Sequence, residues 1–388
     1  MIIGLVGKPS SGKSSFFKAA TLIDVKITGI PFCTIKPNVG IGYVVIDCAE
    51  SEFGVKCKPN HGNCKNGKRF VPVKLVDVAG LVPGAHEGRG LGNQFLDDLR
   101  QASALVHIVD ASGLTDEEGK RTENHDPEKD VEFLEKEIDL WFASVIEKAV
   151  HKIGRPGGVA FGQAELLQFL AEQLSGLEVS KQHIDDALQK SSLTDVQKFA
   201  SNLRKISKPI IIAANKIDLT PAQENFEKLK QKYTDKILVP TSADSEIALK
   251  KAAEKNLVEY LPGDNFTILD PYKLSNAQLA ILDKIQHVIS KYSSTGVQTC
   301  LNKAVFELLN HIAVYPVADA GKLTDKDGNV LPDVYLVPKG TTALDLAFKI
   351  HTDIGKKFIG AIDARTKKKL GKEYLVKNND VLEIITSK

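Results

Sequence analysis

The chain has 388 residues, 43% hydrophobic and 26% charged, which excludes a largely disordered polymer, and no apolar run approaches the ~20 residues of a membrane helix. Lys and Arg exceed Asp and Glu only by 51 to 49, too even a balance for wholesale nucleic-acid binding. Five cysteines make no disulfide framework, so a reducing cytoplasm is the expected compartment and the length predicts two or three domains.

The first predicted element is a buried strand, Ile2 to Val6. It runs directly into Gly7-Lys8-Pro9-Ser10-Ser11-Gly12-Lys13-Ser14-Ser15, with helix-forming sequence behind it. Strand, G-x-x-x-x-G-K-S and helix in that order make a phosphate-binding loop. Its glycines let backbone N–H groups turn inward on the phosphates, and the helix N-terminus adds positive potential. Lys13 is placed to neutralise β- and γ-phosphates, and the Ser14 hydroxyl to ligate Mg2+.

Residues 39–76 read as a hairpin with a long tip. Cys48, Cys57, His61 and Cys64 fall in or beside it. No pair has C-x-x-C spacing, so an ordinary loop is expected and no metal besides Mg2+ enters the reading. Val73 to Val76 reads as a strand ending in Asp77-Val78-Ala79-Gly80. In this D-x-x-G pattern the carboxylate can hold the Mg2+ shell, and the glycine N–H can approach the γ-phosphate.

Leu105 to Asp110 is another buried strand, and the next begins only at Pro209. That interval far exceeds the dozen or so residues a crossover needs, so residues 112–207 are expected to form an inserted helical subdomain. Asp126-Pro127-Glu128 starts its first helix, with Val131, Leu134, Ile138, Trp141 and Val145 on one stripe. Leu166, Leu170 and Leu174 mark a second helix, and Val196, Phe199 and Leu203 a third. The stripe reads as core rather than as a partner groove.

Strand Pro209 to Ala214 leads to Asn215-Lys216-Ile217-Asp218. Asp218 can accept from guanine N1–H and the 2-amino group, which adenine lacks at those positions. A wrong base would leave a buried carboxylate unpaired. Strand Ile237 to Val239 ends in Thr241-Ser242-Ala243, where a backbone N–H can meet the guanine oxygen. All of these lie at strand C-terminal ends, where open α/β sheets bind ligands. Helices capped by Ser245 and Ser275, and an amphipathic stretch from Val297 to Leu309, are expected to close this part.

From Ile312 onward, short strands (Val334–Val337, Phe358–Ile362, Val381–Ile385) surround one helix, Ala343–Ile350, as a compact β-grasp-like unit. Residues 339–388 carry eleven Lys or Arg against six Asp or Glu, a net of +5, which leaves −3 on the rest. Arg365 with Lys367, Lys368 and Lys369 forms a positive loop.

Four motifs in this order resemble the translation-factor-type GTPases. Pro31-Phe32-Cys33-Thr34-Ile35-Lys36-Pro37-Asn38-Val39-Gly40 is similar to the switch I signature of the Obg superfamily, particularly its YchF-type members. Gly80 to Gly92 is similar to their switch II, and Lys339 to His351 resembles the TGS domain of that superfamily and of the DRG proteins. The resemblance spans nearly the whole chain and is nearest to an archaeal, YchF-related Obg-type GTPase. It implies an α/β fold: a doubly wound P-loop GTPase sheet with an inserted helical subdomain and a C-terminal β-grasp-like TGS domain. The implied division is a GTPase domain in two parts, 1–111 and 208–311, the insert 112–207, and a TGS domain at 312–388.

The resemblance implies GTP or GDP with Mg2+ as ligands. Gly7, Lys8, Pro9, Ser10, Ser11, Gly12, Lys13, Ser14 and Ser15 would surround the phosphates with Asp77 and Gly80, and Asn215, Lys216, Asp218, Ser242 and Ala243 the base. Ser14, Thr34 and Asp77 would serve the metal, and Lys13, Thr34 and Gly80 catalysis. YchF-type proteins of bacteria and eukaryotes usually carry Asn-x-x-Glu and favour ATP, so Asp218 implies guanine here. The family loop usually has Asn where Ser10 stands, an asparagine that helps hold a monovalent cation in potassium-stimulated relatives. Potassium dependence is therefore left open.

The water-orienting Gln that often follows D-x-x-G is replaced by Leu81, as in YchF and DRG relatives. This implies slow hydrolysis without an activating partner, and a part for His86 or Glu87 stays open. The implied role is a nucleotide-controlled switch on ribosomes or RNA, docking through the TGS domain. The alternative is a nucleotide-regulated scaffold that binds a protein partner through the helical arm, with hydrolysis incidental. No membrane partner is expected.

Overall fold

The computed structural model describes residues 1–21, 39–78, 80, 84, 98–153 and 162–387. In chain order the first elements are β1 (Ile2–Val6), α1 (Lys13–Thr21), β2 (Val39–Asp47), the one-turn helix α2 (Glu50–Phe53), β3 (Asn63–Lys65), β4 (Lys68–Asp77) and β5 (Ala104–Asp110). Helices α3 (Pro127–Ile153), α4 (Gln163–Gln173), α5 (Lys181–Lys190) and α6 (Val196–Ser207) follow. The chain then returns through β6 (Ile210–Asn215), α7 (Thr220–Lys232), β7 (Leu238–Pro240) and α8 (Ala243–Glu254). A small hairpin, β8 (Val258–Tyr260) and β9 (Phe266–Ile268), precedes α9 (Asn276–Tyr292) and α10 (Val297–Lys303). The last elements are β10 (His311–Val317), β11 (Tyr335–Pro338), α11 (Ala343–Ile350), α12 (Thr352–Lys356), β12 (Phe358–Asp363), β13 (Lys369–Leu370) and β14 (Val381–Thr386).

The first sheet has the order β2-β4-β1-β5-β6-β7, with β3 on β4. β1 pairs in parallel with β4 and with β5, and the parallel run continues through β6 and β7. Every residue of β5 and β6 is buried, as a parallel sheet covered on both faces requires. From β1 the chain leads to β4 on one side and later to β5 on the other. The carboxyl edge at β1 is thus a switch point, the usual ligand crevice of such sheets.

Contacts divide the described residues into two compact units. One holds residues 1–21, 39–42 and the described part of 73–304; the other holds 43–72 and 305–387. Residues 43–72, which lie within 1–111 in the sequence, are thus grouped with the tail. Ala49, Tyr315, Val317, Leu331 and Val381 close one apolar cluster there, flanked by Ile46, Phe53 and Val55.

In the first unit, Leu134, Ile138, Trp141 and Phe142 of α3 join Leu170, Ile184, Phe199 and Leu203 in one cluster with Val6, Val76 and Leu105 of the sheet. The helical stripe is core. Pro127 opens α3, a position where its missing N–H is not needed. Ser242, rather than Ser245, caps α8: its hydroxyl accepts from the Ser245 N–H. Ser275 caps α9 as expected, accepting from Gln278 N–H.

The second unit carries a sheet ordered β11-β10-β14-β12-β13, in which β10 and β14 are parallel and the other pairs antiparallel. α11 packs on it through Leu346, against Val314, Val337, Val376 and Leu382. Thr342 caps this helix and Asp345 completes the capping box. Among the described residues, no helix is long and apolar enough to cross a membrane.

Candidate nucleotide-binding site

The loop from β1 to α1 has no room for side chains at its two glycines. A Cβ on Gly7 would lie 2.5 Å from Ile108 O and 2.9 Å from Ser11 Oγ. Gly12 has φ +90°, and a Cβ there would meet Asn215 Nδ2 at 2.2 Å, so both backbone and space demand glycine. Phe16 N–H donates to Gly12 O at 2.8 Å and sets the first turn of α1. The N–H groups before it belong to a helix start and have no intrahelical acceptor, which suits them to an anion.

Lys13 and Asp77 form an ion pair, and the Ser14 hydroxyl donates to Asp77 Oδ2 at 3.4 Å. The loop after β1 and the end of β4 therefore bring three of the expected residues together. Hydroxyl and carboxylate oxygens side by side are the hard donors Mg2+ takes, so these residues fit that ion. Gly80 lies against Pro9, 3.6 Å from a built Cβ to Pro9 Cγ. Thr34, Leu81, His86 and Glu87 lie outside the described residues.

Two loop residues are limited by their chemistry. Pro9 has no N–H to offer a phosphate. Lys8 is turned inward: its Nζ lies 2.8 Å from Asp130 Oδ2 of α3 and donates to Thr115 O at 2.7 Å. Only the backbone of Lys8 remains for phosphate. Ser10 is exposed at φ +61°, Ser15 is half-buried, and the buried Ser11 Oγ has no hydrogen-bond partner among the described residues.

At the other end, Asn215 ties three loops. Its Nδ2 donates to Ser11 O at 3.0 Å, and its Oδ1 accepts from Ala243 N–H at 3.1 Å and Thr241 Oγ1 at 3.4 Å. Asp218 Oδ1 accepts from the Ser242 hydroxyl at 2.6 Å. Lys216, at φ +63°, pairs with Asp110 Oδ2 at 2.7 Å. Asp110 is fully buried and also accepts from Ser112 Oγ and Thr115 Oγ1. Burial would raise its carboxyl, but the hydrogen bonds from Lys216, Ser112 and Thr115 outweigh burial and leave it below the usual range.

Asp110, Thr115 and Asp130 were not expected from the sequence. They form a continuous polar chain, Asp130–Lys8–Thr115–Asp110–Lys216, buried except at Lys216, from the phosphate loop to the base loop. The available signal was an acidic residue at the carboxyl end of β5, on the same sheet edge as the recognised motifs. α3 also reaches past the D-x-x-G stretch, where Gly84 N–H donates to Glu137 Oε1 at 3.0 Å.

The positive loop of the second unit is smaller than the sequence suggests. Arg365 forms a bidentate pair with Glu52, 2.6 Å for each bond, and donates to Asn379 O at 2.9 Å. Lys367 Nζ donates to Ala320 O at 2.7 Å. Lys368 and Lys369 remain exposed.

Three family models match: a 50S ribosome-binding GTPase over residues 2–139, an Obg-like, YGR210-like GTPase domain containing the G4 motif over 213–319, and a TGS domain over 322–386. The chain is 48% identical over 393 residues to an uncharacterised GTP-binding protein of Methanocaldococcus jannaschii, with 100% of this chain and 99% of that one covered. It is 27% identical over 404 residues to a Buchnera aphidicola protein described as the ribosome-binding ATPase YchF, with 98% of each covered. The crystal structure of a GTP-binding protein from Pyrococcus horikoshii OT3 is similar with a TM-score of 0.79 at 38% identity, over 100% of both chains. Similarity of this extent, end to end, shows that the chain belongs to the YchF-related Obg-type GTPases with a helical insert and a C-terminal TGS domain.

Proposed function

We propose that the chain is a guanine-specific, Mg2+-dependent switch that hydrolyses GTP slowly on its own and acts on ribosomes or RNA. The observation that carries the base choice is the bond from Ser242 to Asp218 Oδ1. It holds the carboxylate in place while Oδ2 stays available to guanine N1–H and the 2-amino group, donors that adenine does not offer there. Asn215 keeps the phosphate loop and the base loops in fixed register, so one ligand can engage both ends.

The loop N–H groups and Lys13 would take the phosphate charge. Mg2+ supplies charge at the phosphate oxygens when bound, and Ser14 and Asp77 are the residues that would hold it. Thr34 would join them, and Leu81 offers no hydrogen bond to an attacking water, which supports slow turnover. The ribosome part of the reading rests on the family description matched at residues 2–139 and on the printed description of the YchF relative.

Calorimetric titration tests the base choice. GTP and GDP should bind at least roughly a hundredfold better than ATP and ADP, and Asp218→Asn should weaken GTP and favour xanthosine nucleotides. Equal affinity of the parent chain for GTP and ATP refutes it. Co-sedimentation with ribosomes under a GTP analogue and under GDP tests the switch; sedimentation that ignores the nucleotide, or none at all, refutes that part alone.

A further inference from the structure

Away from the nucleotide site, within the second unit, a short stretch brings three thiols and a carboxylate to one point. Cys48 follows β2, Glu50 opens α2, Cys57 lies in the loop beyond it, and Cys64 is in β3. One ligand atom from each lies within 4.8 Å of all the others. Cys48 Sγ and Cys57 Sγ are 3.8 Å apart, and Cys64 Sγ lies 3.2 Å from Glu50 Oε1. All three cysteines are free thiols.

We propose that Cys48, Glu50, Cys57 and Cys64 are a structural zinc site. Sulfurs held at about 2.3 Å by one zinc ion stand about 3.8 Å apart across a tetrahedron, the separation of Cys48 and Cys57 here. A carboxylate oxygen is a known fourth donor for zinc. Ligand atoms this close enclose a single ion and leave no space for a polynuclear iron–sulfur cluster. Three thiolates suit a thiophilic cation and exclude Mg2+ and Ca2+, which take oxygen. With four protein ligands the site is closed to substrate, which marks it as structural rather than catalytic.

The surroundings are arranged for it. The Cys57 N–H donates to Glu50 Oε2 at 2.9 Å, orienting the other carboxylate oxygen toward Cys64. Such outer partners are typical of metal ligands. Cys48 N–H is fixed by Gly67 O at 2.8 Å. Three thiolates and one carboxylate around a divalent ion leave a net negative charge. Arg69, 1% exposed and the cross-strand partner of Cys64, brings a positive charge to the same region.

The need is also local. None of residues 50–68 is buried; Phe53, Val55 and Cys57 only flank the cluster around Tyr315 and Val381, and a metal cross-brace is the usual supplement to so small a core. Without C-x-x-C spacing the sequence alone points to an ordinary loop, with His61 beside the three thiols. His61 instead faces Asp333, its Nε2 4.0 Å from Oδ1, and Glu50 takes the fourth place.

The test is metal analysis of the full chain, purified without a metal-binding tag and passed through chelator-treated buffer. About one zinc per chain is expected. Cobalt added to the chelator-stripped chain should give tetrahedral d–d bands with thiolate charge-transfer absorption. Cys57→Ser with Cys64→Ser should abolish both, and Glu50→Gln should weaken zinc in a chelator competition by on the order of tenfold or more. His61→Gln should leave zinc unchanged. Far-UV circular dichroism and the urea unfolding midpoint report whether each variant has folded, and GTP affinity, which resides in the other unit, should be unchanged. If the double variant fails to fold, Glu50→Gln and the cobalt spectrum of the parent chain decide. Three freely titrating thiols in the presence of zinc, a Cys48–Cys57 disulfide in the purified chain, or zinc content indifferent to the double variant would each overturn the proposal.

Discussion

Lys8 and Asp130 are each 2% exposed and 2.8 Å apart. Two such charges are tolerated away from water only together. Lys8→Met should leave the Asp130 carboxylate with only the His125 ring, 2.8 Å from its Oδ1, and cost up to about 3–5 kcal/mol, read as a lower urea midpoint at constant slope. Adding Asp130→Leu should restore most of that loss. Unchanged stability with lost GTP affinity would instead put the Lys8 ammonium on the phosphates. The contrast with Lys13 shows what was legible in single residues. Lys13, Ser14, Asn215 and Asp218 could be read because a fixed local spacing carries their chemistry. Asp110, Thr115 and Asp130 take their roles from partners about a hundred positions away, as Lys8 to Thr115 spans 107, and no local pattern encodes that.

At the scale of elements, strong periodicity was enough. The α3 stripe, the β5 and β6 runs and the Ala343–Ile350 helix stand where the apolar spacing puts them. α5 and α7 were missed for the opposite reason: α7 buries only Ala222, Phe226 and Leu229 among its thirteen residues, too faint a signal beside its charged ones. β13 spans two residues and exists through pairing with β12. The tail loop shows how pairing changes a prediction. Since Arg365 is committed to Glu52 and Lys367 to Ala320, the charges of this loop left to test for RNA contact are Lys368 and Lys369. Replacing both by Glu should reduce ribosome binding and flatten its dependence on salt, leaving GTP affinity unchanged. Arg365→Ala should act on stability instead, by about 1 kcal/mol for a pair in which Arg365 is 27% and Glu52 53% exposed. Sedimentation against salt for the two variants decides, and coincident curves for parent and double variant would remove this loop from the contact surface.

The molecule as a whole should be sensitive to acid. His107 sits within β5, fully buried, with no hydrogen-bond partner at Nδ1 among the described residues. Burial, with smaller contributions from the Lys236 and Lys8 charges, pushes its imidazole down from 6.5 to about 3. An unfolded chain takes up this proton below pH 6.5, whereas the folded chain does so only near pH 3. Stability from this group is thus complete above pH 6.5 and falls progressively as pH drops toward 3. The loss should reach on the order of a few kcal/mol. Urea unfolding at pH 7.5 and pH 5.0 should show the decline, and His107→Leu should shrink it; an identical decline in both chains would assign acid lability elsewhere.

Asn215 reaches back 204 positions to hold the carbonyl of Ser11. During synthesis the phosphate loop emerges first and waits for that partner. At ~5–20 residues per second the delay is on the order of 10–40 seconds. Throughout it the nascent chain has the phosphate loop but neither the base loop nor the bond that holds the two in register. Ribosome-tethered chains halted before Asn215 emerges should therefore be cleaved by protease equally with and without GTP. Chains extending beyond Ala243 should gain protection, which makes GTP a checkpoint on completed translation of this domain rather than an aid to its early folding.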